Sequence, residues 1–369
     1  MTDKSVVVVG GGYGGAKVAK LLDDVADVTL VEPKDAFVHS TGALRAAVDP
    51  AWEDRVFFPY DHLLARGRVV HEHAQAVGPH RVQLSATGAL DADYLVLATG
   101  TAYPFPAKFI ESESHLARAR LARLRGVLAG ADRALLVGAG PVGLELAGEL
   151  SAAYPDLGIT IVDQADDVLT TWDYQPELRA SIRAQLEARG VVFELGSPLG
   201  YLPPQDVGEP GEFTVHTRAG GEVSGQVWFR CHGNLPVLDY LGPELAAARV
   251  GDGGLEVTGA LTVVGFDTVF AIGDVTTIRE SKRASAALAH AEVAAANIRA
   301  LIEGREPTAT YAPAPEIIVL PLGPDGGGSQ LVGDDGERRI LGPEQTSELK
   351  GADLHTGVLT ELFGRPAAS

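Results

Sequence analysis

Apolar residues along this chain gather into short unbroken runs more often than they alternate with polar ones. Val6 to Val9 is such a run, and it is wholly β-branched. A strand covered on both faces reads this way, as in a parallel sheet packed between helices. A glycine turn and a helix from about Gly14 to Leu22 follow, and "DVTLVE" (27–32) supplies a second strand ending at Glu32. Strand, turn, helix and strand make a βαβ unit. "DADYLVLATG" (91–100) predicts another buried strand, and "FPAKF" (105–109) a crossing out of this unit. "RALLVGAG" (133–140) opens a second βαβ unit, whose next strand is "GITIVDQ" (158–164). The helix expected over 175–190 has Pro176 near its start and Gly190 just past its end, where these residues belong. "EFTVHTRAGGEVSG" (212–225) predicts a β-hairpin, and "QVWFRCHG" (226–233) the strand that closes the second unit. "DTVFAIGDV" (267–275) is again a buried strand with a Gly-Asp turn, followed by an Ala-rich helix over 285–304. Beyond a Pro-rich hinge (305–316), "IIVLPLG" and a Gly/Asp-rich hairpin at 323–337 predict a small third domain.

The turns inside the two βαβ units carry chemistry. Gly10-Gly11-Gly12-Tyr13-Gly14-Gly15 fits G-x-G-x-x-G. Gly10 makes the tight turn, Gly12 lets backbone approach a pyrophosphate, and Gly15 allows helix and strand to pack closely. The helix start then offers unpaired N–H groups and a positive dipole end to phosphates. Glu32 stands where a carboxylate accepts hydrogen bonds from an adenosine ribose. The second turn, Gly138-Ala139-Gly140-Pro141-Val142-Gly143, repeats the pattern with Asp163 as its acid. A carboxylate there repels a 2′-phosphate, and no arginine immediately follows Asp163, so NADH is favoured over NADPH. One such motif is a weak signal; two complete units, each with its acid, predict two bound dinucleotides.

Composition narrows the partners. The 369 residues carry a formal charge of −19, which on average repels nucleic acid and anionic membranes. The arginines between Arg118 and Arg133 recur at helical spacing, as on a solvated helix face. The single cysteine, Cys231, excludes an intramolecular disulfide, a Cys-x-x-Cys pair and a thiolate metal cage. No run approaches a membrane span. Thr2 stands where N-myristoylation needs glycine, so cytoplasmic placement is expected.

Taken together, "VVVGGGYGGAKVA", "VEPKDAFVHSTGALRAAV", "DYLVLATGTAYPFPAKF", "LLVGAGPVGLELAGEL", "VFAIGDV" and "HAEVAAANI" resemble the pyridine-nucleotide-dependent flavoprotein oxidoreductases with two dinucleotide domains. Within them the chain is most similar to the apoptosis-inducing-factor-like branch that includes ferroptosis suppressor protein, with type II NADH dehydrogenases as more distant kin. "DAFVHSTGALRA" with "FPAKF" is the more specific part of the likeness, which runs to about residue 320. The resemblance implies an α/β fold of two Rossmann-like domains. An NADH domain (109–236) would be inserted in an FAD domain (1–108 and 237–305), with a small C-terminal α+β interface domain (306–369).

By the same resemblance, Gly273 and Asp274 would meet the flavin's ribityl or phosphate region, and Arg45 its pyrophosphate. Backbone near His73 would meet the adenine, and Thr99 and Gly100 would close over the flavin. Lys108 is either a cation beside the flavin ring or an exposed hinge lysine. Glu145 would turn from the phosphates towards nicotinamide and flavin; a favourable helix-dipole placement is its other reading. His290 lies on the helix approaching the flavin's pyrimidine edge, where a packed histidine is commoner than a proton donor. Gly233 ends a "CHG" turn where the family has Cys-Thr-Gly, so His232 alters the cleft. The chain end keeps the spacing of Lys350 and Asp353-Leu354 without most of the branch's aromatic and basic residues, which argues against a stable membrane anchor. The implied activity is hydride transfer from NADH to FAD and on to a quinone or similar acceptor. The alternatives are an NADH-responsive sensor or a reductase feeding a protein acceptor. The third domain is a candidate homodimer interface.

Overall fold

The apolar runs form the centres of two parallel sheets in the computed structural model, which describes residues 4–251 and 253–364. The first sheet has the order Val269–Ala271, Tyr94–Leu97, Ser5–Val9, Asp27–Val31, Arg68–Val70, and each neighbouring pair is parallel. The second has the order Val192–Glu194, Gly158–Val162, Arg133–Val137, Val227–Arg230, again parallel throughout. The protein is therefore an α/β fold with two Rossmann-like units. Their cores are apolar: Val6, Val8, Leu95 and Val96 in one, and Leu135, Leu136, Ile161 and Phe229 in the other, are fully buried.

The chain passes between the sheets twice at one place. Thr101–Ala102 pairs antiparallel with Leu235–Pro236, so departure and return run side by side. Since the first sheet also takes its edge strand from 269–271, the second unit lies inside the first in sequence. The helix Tyr13–Leu22 packs on the helix Ala284–Ile302, with Gly14 allowing close approach: a Cβ there would lie 3.0 Å from the Ala287 carbonyl. Both helices thus begin at the same edge of the first sheet. The third unit is an antiparallel sheet, Ile318–Leu322, Gly326–Val332 and Arg338–Leu341. It sits directly on the helix Pro141–Ala153, where a Cβ on Gly148 would fall 2.4 Å from the Leu322 Cα.

Several elements differ from the sequence expectation. The three-stranded meander Ala74–Gly78, Arg81–Leu84, Ala89–Asp91 was not foreseen; its strands are short and bury little beyond Val77, Val82 and Leu84. The C-terminal helix Thr356–Leu362 was also not foreseen. The arginine-rich segment is the helix Ser114–Ala129, which buries Ala117, Leu121, Leu124 and Leu128. Its arginines are more than a solvated face: Arg118 reaches Asp54 at 2.9 Å, Arg120 reaches Glu111 at 2.9 Å, and Arg125 pairs with Glu53. No described helix is long and apolar enough to cross a membrane. The expectation at Thr2 and the last five residues of the third domain lie outside the described residues.

One buried ion pair joins all three units. Arg45, on the short helix Ser40–Ala46, donates from Nε to both Glu149 oxygens at 3.0 and 3.1 Å and from Nη2 at 2.8 Å. Its Nη1 donates to the Gly351 carbonyl, and the guanidinium stacks on Trp52. The two side chains are only 4% and 6% exposed. Removing one partner of such a pair strands the other charge without solvent, at a cost of about 3–5 kcal/mol. Arg45→Met is therefore expected to lower stability by that amount in urea denaturation. Adding Glu149→Leu should recover most of the loss, because no charge is then left buried.

Candidate functional site

The two glycine turns are built alike, and the glycines divide by role. Gly10 and Gly138 have φ of +101° and +121°, the left-handed side that glycine tolerates. A Cβ at Gly15 would lie 1.8 Å from the Gly10 carbonyl, and one at Gly143 would lie 2.0 Å from the Gly138 carbonyl. These glycines let helix and strand touch. At the middle positions, Gly12 and Gly140, a Cβ would meet nothing within 4 Å. Each of these is the N-cap of its helix and supplies no side-chain cap, so the first N–H groups face that open space. Pro141 takes the first helical position, where its missing N–H costs nothing. Val142 is half-buried behind it, as Tyr13 is in the first turn. Open space lined by helix N–H groups fits a dinucleotide pyrophosphate in both turns.

Each acid holds its own turn. Glu32 accepts from the Gly11 N–H at 2.7 Å with one oxygen and from the Lys34 N–H at 3.0 Å with the other. Asp163 accepts from Ala139 N–H at 2.6 Å and from Ala165 N–H at 2.8 Å. Both carboxylates are thus fixed at a strand end beside the glycine loop, with lone pairs left for ribose hydroxyls. Tyr60, not singled out from the sequence, donates to the Gly11 carbonyl at 2.8 Å and braces the first loop from behind. Tyr13 hydrogen-bonds Nδ1 of the buried His39 at 2.7 Å. Nothing in the local sequence pattern signals these two partners.

At the domain crossing, Lys108 Nζ donates to the Thr101 carbonyl at 2.6 Å and to its hydroxyl oxygen at 2.9 Å. The Thr101 hydroxyl lies 3.0 Å from Asp274 Oδ2. Lys108 is a largely buried cation, not an exposed hinge lysine. Burial pushes its pKa down from the ordinary lysine value, and Asp274 opposes the push. Thr99 donates to the Val237 carbonyl at 2.6 Å and pairs with the Tyr240 hydroxyl, clasping the outgoing chain to the returning one. Gly100 and Gly273 both have positive φ and let the backbone turn here.

Other expected residues fall differently. Arg45 is not turned to the first glycine loop; its nitrogens are committed to Glu149 and Gly351, because a buried guanidinium needs a carboxylate. His73 is exposed, its N–H on the Ser85 hydroxyl at 3.3 Å. His290 is fully buried and its Nδ1 accepts from the Gly273 N–H at 2.9 Å. It acts as a strut between the long helix and the Gly-Asp turn. Its Nε2 lies 2.9 Å from a Glu280 carboxylate oxygen; burial pushes its pKa down and Glu280 opposes the push. Glu145 pairs with Lys350 at 2.7 Å, and Lys350 also donates to the Val319 carbonyl. That pair brings the third unit to the cleft; from the sequence, Lys350 stood out only by its spacing. Gly233, at φ +97°, ends the turn after the strand Val227–Arg230.

Residues 4–295 match the family described as pyridine nucleotide-disulphide oxidoreductase. The chain is 32% identical over 341 residues to ferroptosis suppressor protein 1 of Taeniopygia guttata, covering 89% of this chain and 88% of that protein. It is 30% identical over 351 residues to apoptosis-inducing factor homolog A of Dictyostelium discoideum, covering 89% and 85%. Among solved structures, the sulfide:quinone oxidoreductase of Aquifex aeolicus superposes with a TM-score of 0.76 at 17% identity, covering 99% of this chain and 93% of that one, a likeness of fold.

The division among glycines predicts opposite phenotypes. Gly140→Ala places a methyl group in the open space. It should leave stability within about 0.5 kcal/mol of the parent while weakening dinucleotide binding about tenfold or more. Gly143→Ala overpacks the helix against the strand and should cost at least about 1–3 kcal/mol of stability. Denaturation and dinucleotide titration of both variants separate the two effects.

Proposed function

From the premise that the chain belongs to the pyridine nucleotide-disulphide oxidoreductase family, we propose that it oxidises NADH through FAD and passes the electrons to a quinone or a similar small acceptor. It is an NAD(P)H-dependent flavoprotein oxidoreductase; the choice of NADH and of the acceptor is our reading. The observation that carries it is the pair of matched cradles, each with its acid hydrogen-bonded to its own loop through both oxygens.

In the nested arrangement the outer cradle would take FAD and the inner one NADH. FAD supplies the redox chemistry when bound, accepting a hydride and releasing two electrons. The chain's own groups bind and orient. Glu32 and Asp163 would each hold a ribose, and the helix starts at Tyr13 and Pro141 would hold the two pyrophosphates. Lys108 keeps a buried cation one hydroxyl away from Asp274 and would favour negative charge developing on the ring. Glu145 is paired with Lys350, whose charge would offset its repulsion of the phosphates. Asp163 is followed by Gln164, Ala165, Asp166 and Asp167, a run without an arginine or lysine to receive a 2′-phosphate.

A small acceptor is supported by what the chain's thiol is. Cys231 is buried, and burial pushes its pKa up to about 12, so it stays protonated and has no partner thiol. The net charge of −19 gives a second reading some support, a reductase for a basic protein acceptor.

Anaerobic mixing of the yellow protein with NADH should bleach the flavin absorbance rapidly, and a short-chain quinone should restore it. A colourless protein that takes up no FAD would sink the proposal. Asp163→Ser should narrow the preference for NADH over NADPH by about tenfold, since it removes both the ribose acceptor and the charge repelling a 2′-phosphate. The ratio of the two kcat/KM values measures this.

A further inference from the structure

Arg230 is the last residue of the strand Val227–Arg230, paired with Val137 directly before the Gly138 turn. Three segments rim the inner cradle, 138–143, 163–169 and 230–234. Within them Arg230 is the single arginine or lysine, against Asp163, Asp166 and Asp167. Its Nε is buried and has no hydrogen-bond partner among the described residues. The turn that follows is folded around the guanidinium: a Cβ on Gly233 would fall 2.8 Å from Nη2. The guanidinium is also close enough to oppose protonation of His232, whose pKa is lowered mainly by burial, while Asp163 acts the other way. Its charge is felt as well by Tyr103, beside the crossing strand. Arg230 therefore stands at the strand end next to the glycine turn, with the 231–233 turn wrapped on its guanidinium.

A buried cationic donor without an acceptor is costly, and a ligand is the ordinary way such a donor is completed. Two further observations say which ligand. A dinucleotide brings two phosphate charges, whereas the helix start supplies the equivalent of about half a positive charge. Asp167 at the rim meets Arg179 and Arg183 at 4.0 and 3.7 Å, whereas Arg230 has no carboxylate partner among the described residues and is the rim guanidinium left to meet the phosphates. A guanidinium fork matches phosphate oxygens with two parallel hydrogen bonds. We propose that Arg230 clamps the diphosphate of the pyridine dinucleotide, completing a cradle that its glycines and helix only begin. The proposal rests on reading the inner cradle as the NADH site. The ligand class it recognises is a nucleoside diphosphate, shared by NADH, NADPH and ADP-ribose.

The test uses the FAD-loaded full chain, with Arg230→Met and Arg230→Lys beside the parent. ADP-ribose and adenosine are titrated by calorimetry at two salt concentrations, and flavin absorbance and thermal midpoint are recorded for each protein. Arg230→Met should weaken ADP-ribose about tenfold or more and flatten its salt dependence. Adenosine binding, flavin spectrum and midpoint should stay as in the parent. Arg230→Lys should fall between, because it keeps the charge and loses the fork. Unchanged ADP-ribose affinity in Arg230→Met overturns the clamp. If adenosine weakens equally with ADP-ribose, Arg230 is only shaping the turn, and the clamp falls. A parent protein that binds no ADP-ribose and is not bleached by NADH overturns the underlying reading itself. A parent that passes both, with a variant matching it, removes the clamp alone.

Discussion

The buried pair of Arg45 and Glu149 is the constraint on which the site depends. Arg45 comes from the first unit, Glu149 from the helix of the inner cradle, and the Gly351 carbonyl from the third unit. Each charge is unaffordable alone in that interior, and burial pushes the Glu149 carboxyl up from its ordinary value even as Arg45 opposes the shift. The pair satisfies itself only if the three units meet in one arrangement. One helical turn before Glu149, Glu145 meets Lys350, the neighbour of Gly351. The cleft between the cradles is thereby set by contacts that lie outside either glycine motif.

Within that frame the two cradles use one device twice. A carboxylate at a strand end takes N–H groups from its own glycine loop and from the residue two positions on. The loop is then held in a ligand-ready shape at no further cost when a dinucleotide arrives. Gly12 and Gly140 leave the space open, and Gly15 and Gly143 bring the helix start to it. The first cradle has an additional brace in Tyr60; the second has at its rim the Arg230 Nε, which has no hydrogen-bond partner among the described residues.

The crossing between the units is a polar knot. Lys108, Thr101 and Asp274 form one chain of contacts, and Thr99, Val237 and Tyr240 form another. His290 fastens the Gly273 turn to the long helix whose start faces the same sheet edge. Residues from 99–108, 237–240 and 273–290 are distant in sequence; the paired strands at 101–102 and 235–236 join the first two, and the pairing of 269–271 with 95–97 brings in the third.

The parallel strands of both sheets and the two glycine turns were legible in the chain's local pattern, and the nested order of the units came from the family resemblance. The strands and turns are local matters: unbroken β-branched runs, glycines where φ must be positive, and an acid one strand further on. Glu32 and Asp163 were legible as strand-end acids, and the structure shows each bonded to its own glycine loop. Side-chain partners were decided only by the tertiary structure. Arg45 stood in a motif that suggested phosphate contact, but its guanidinium is captured by Glu149, 104 positions away. Lys108 could be read as hinge or as buried cation until Thr101 and Asp274 closed on it. Glu145 acquired Lys350 from a chain end whose helix carries no strong pattern. The physical reason is the same in each case. Backbone conformation follows from neighbours in sequence, whereas a buried charge must find a counter-charge, and which one it finds depends on how separate units dock.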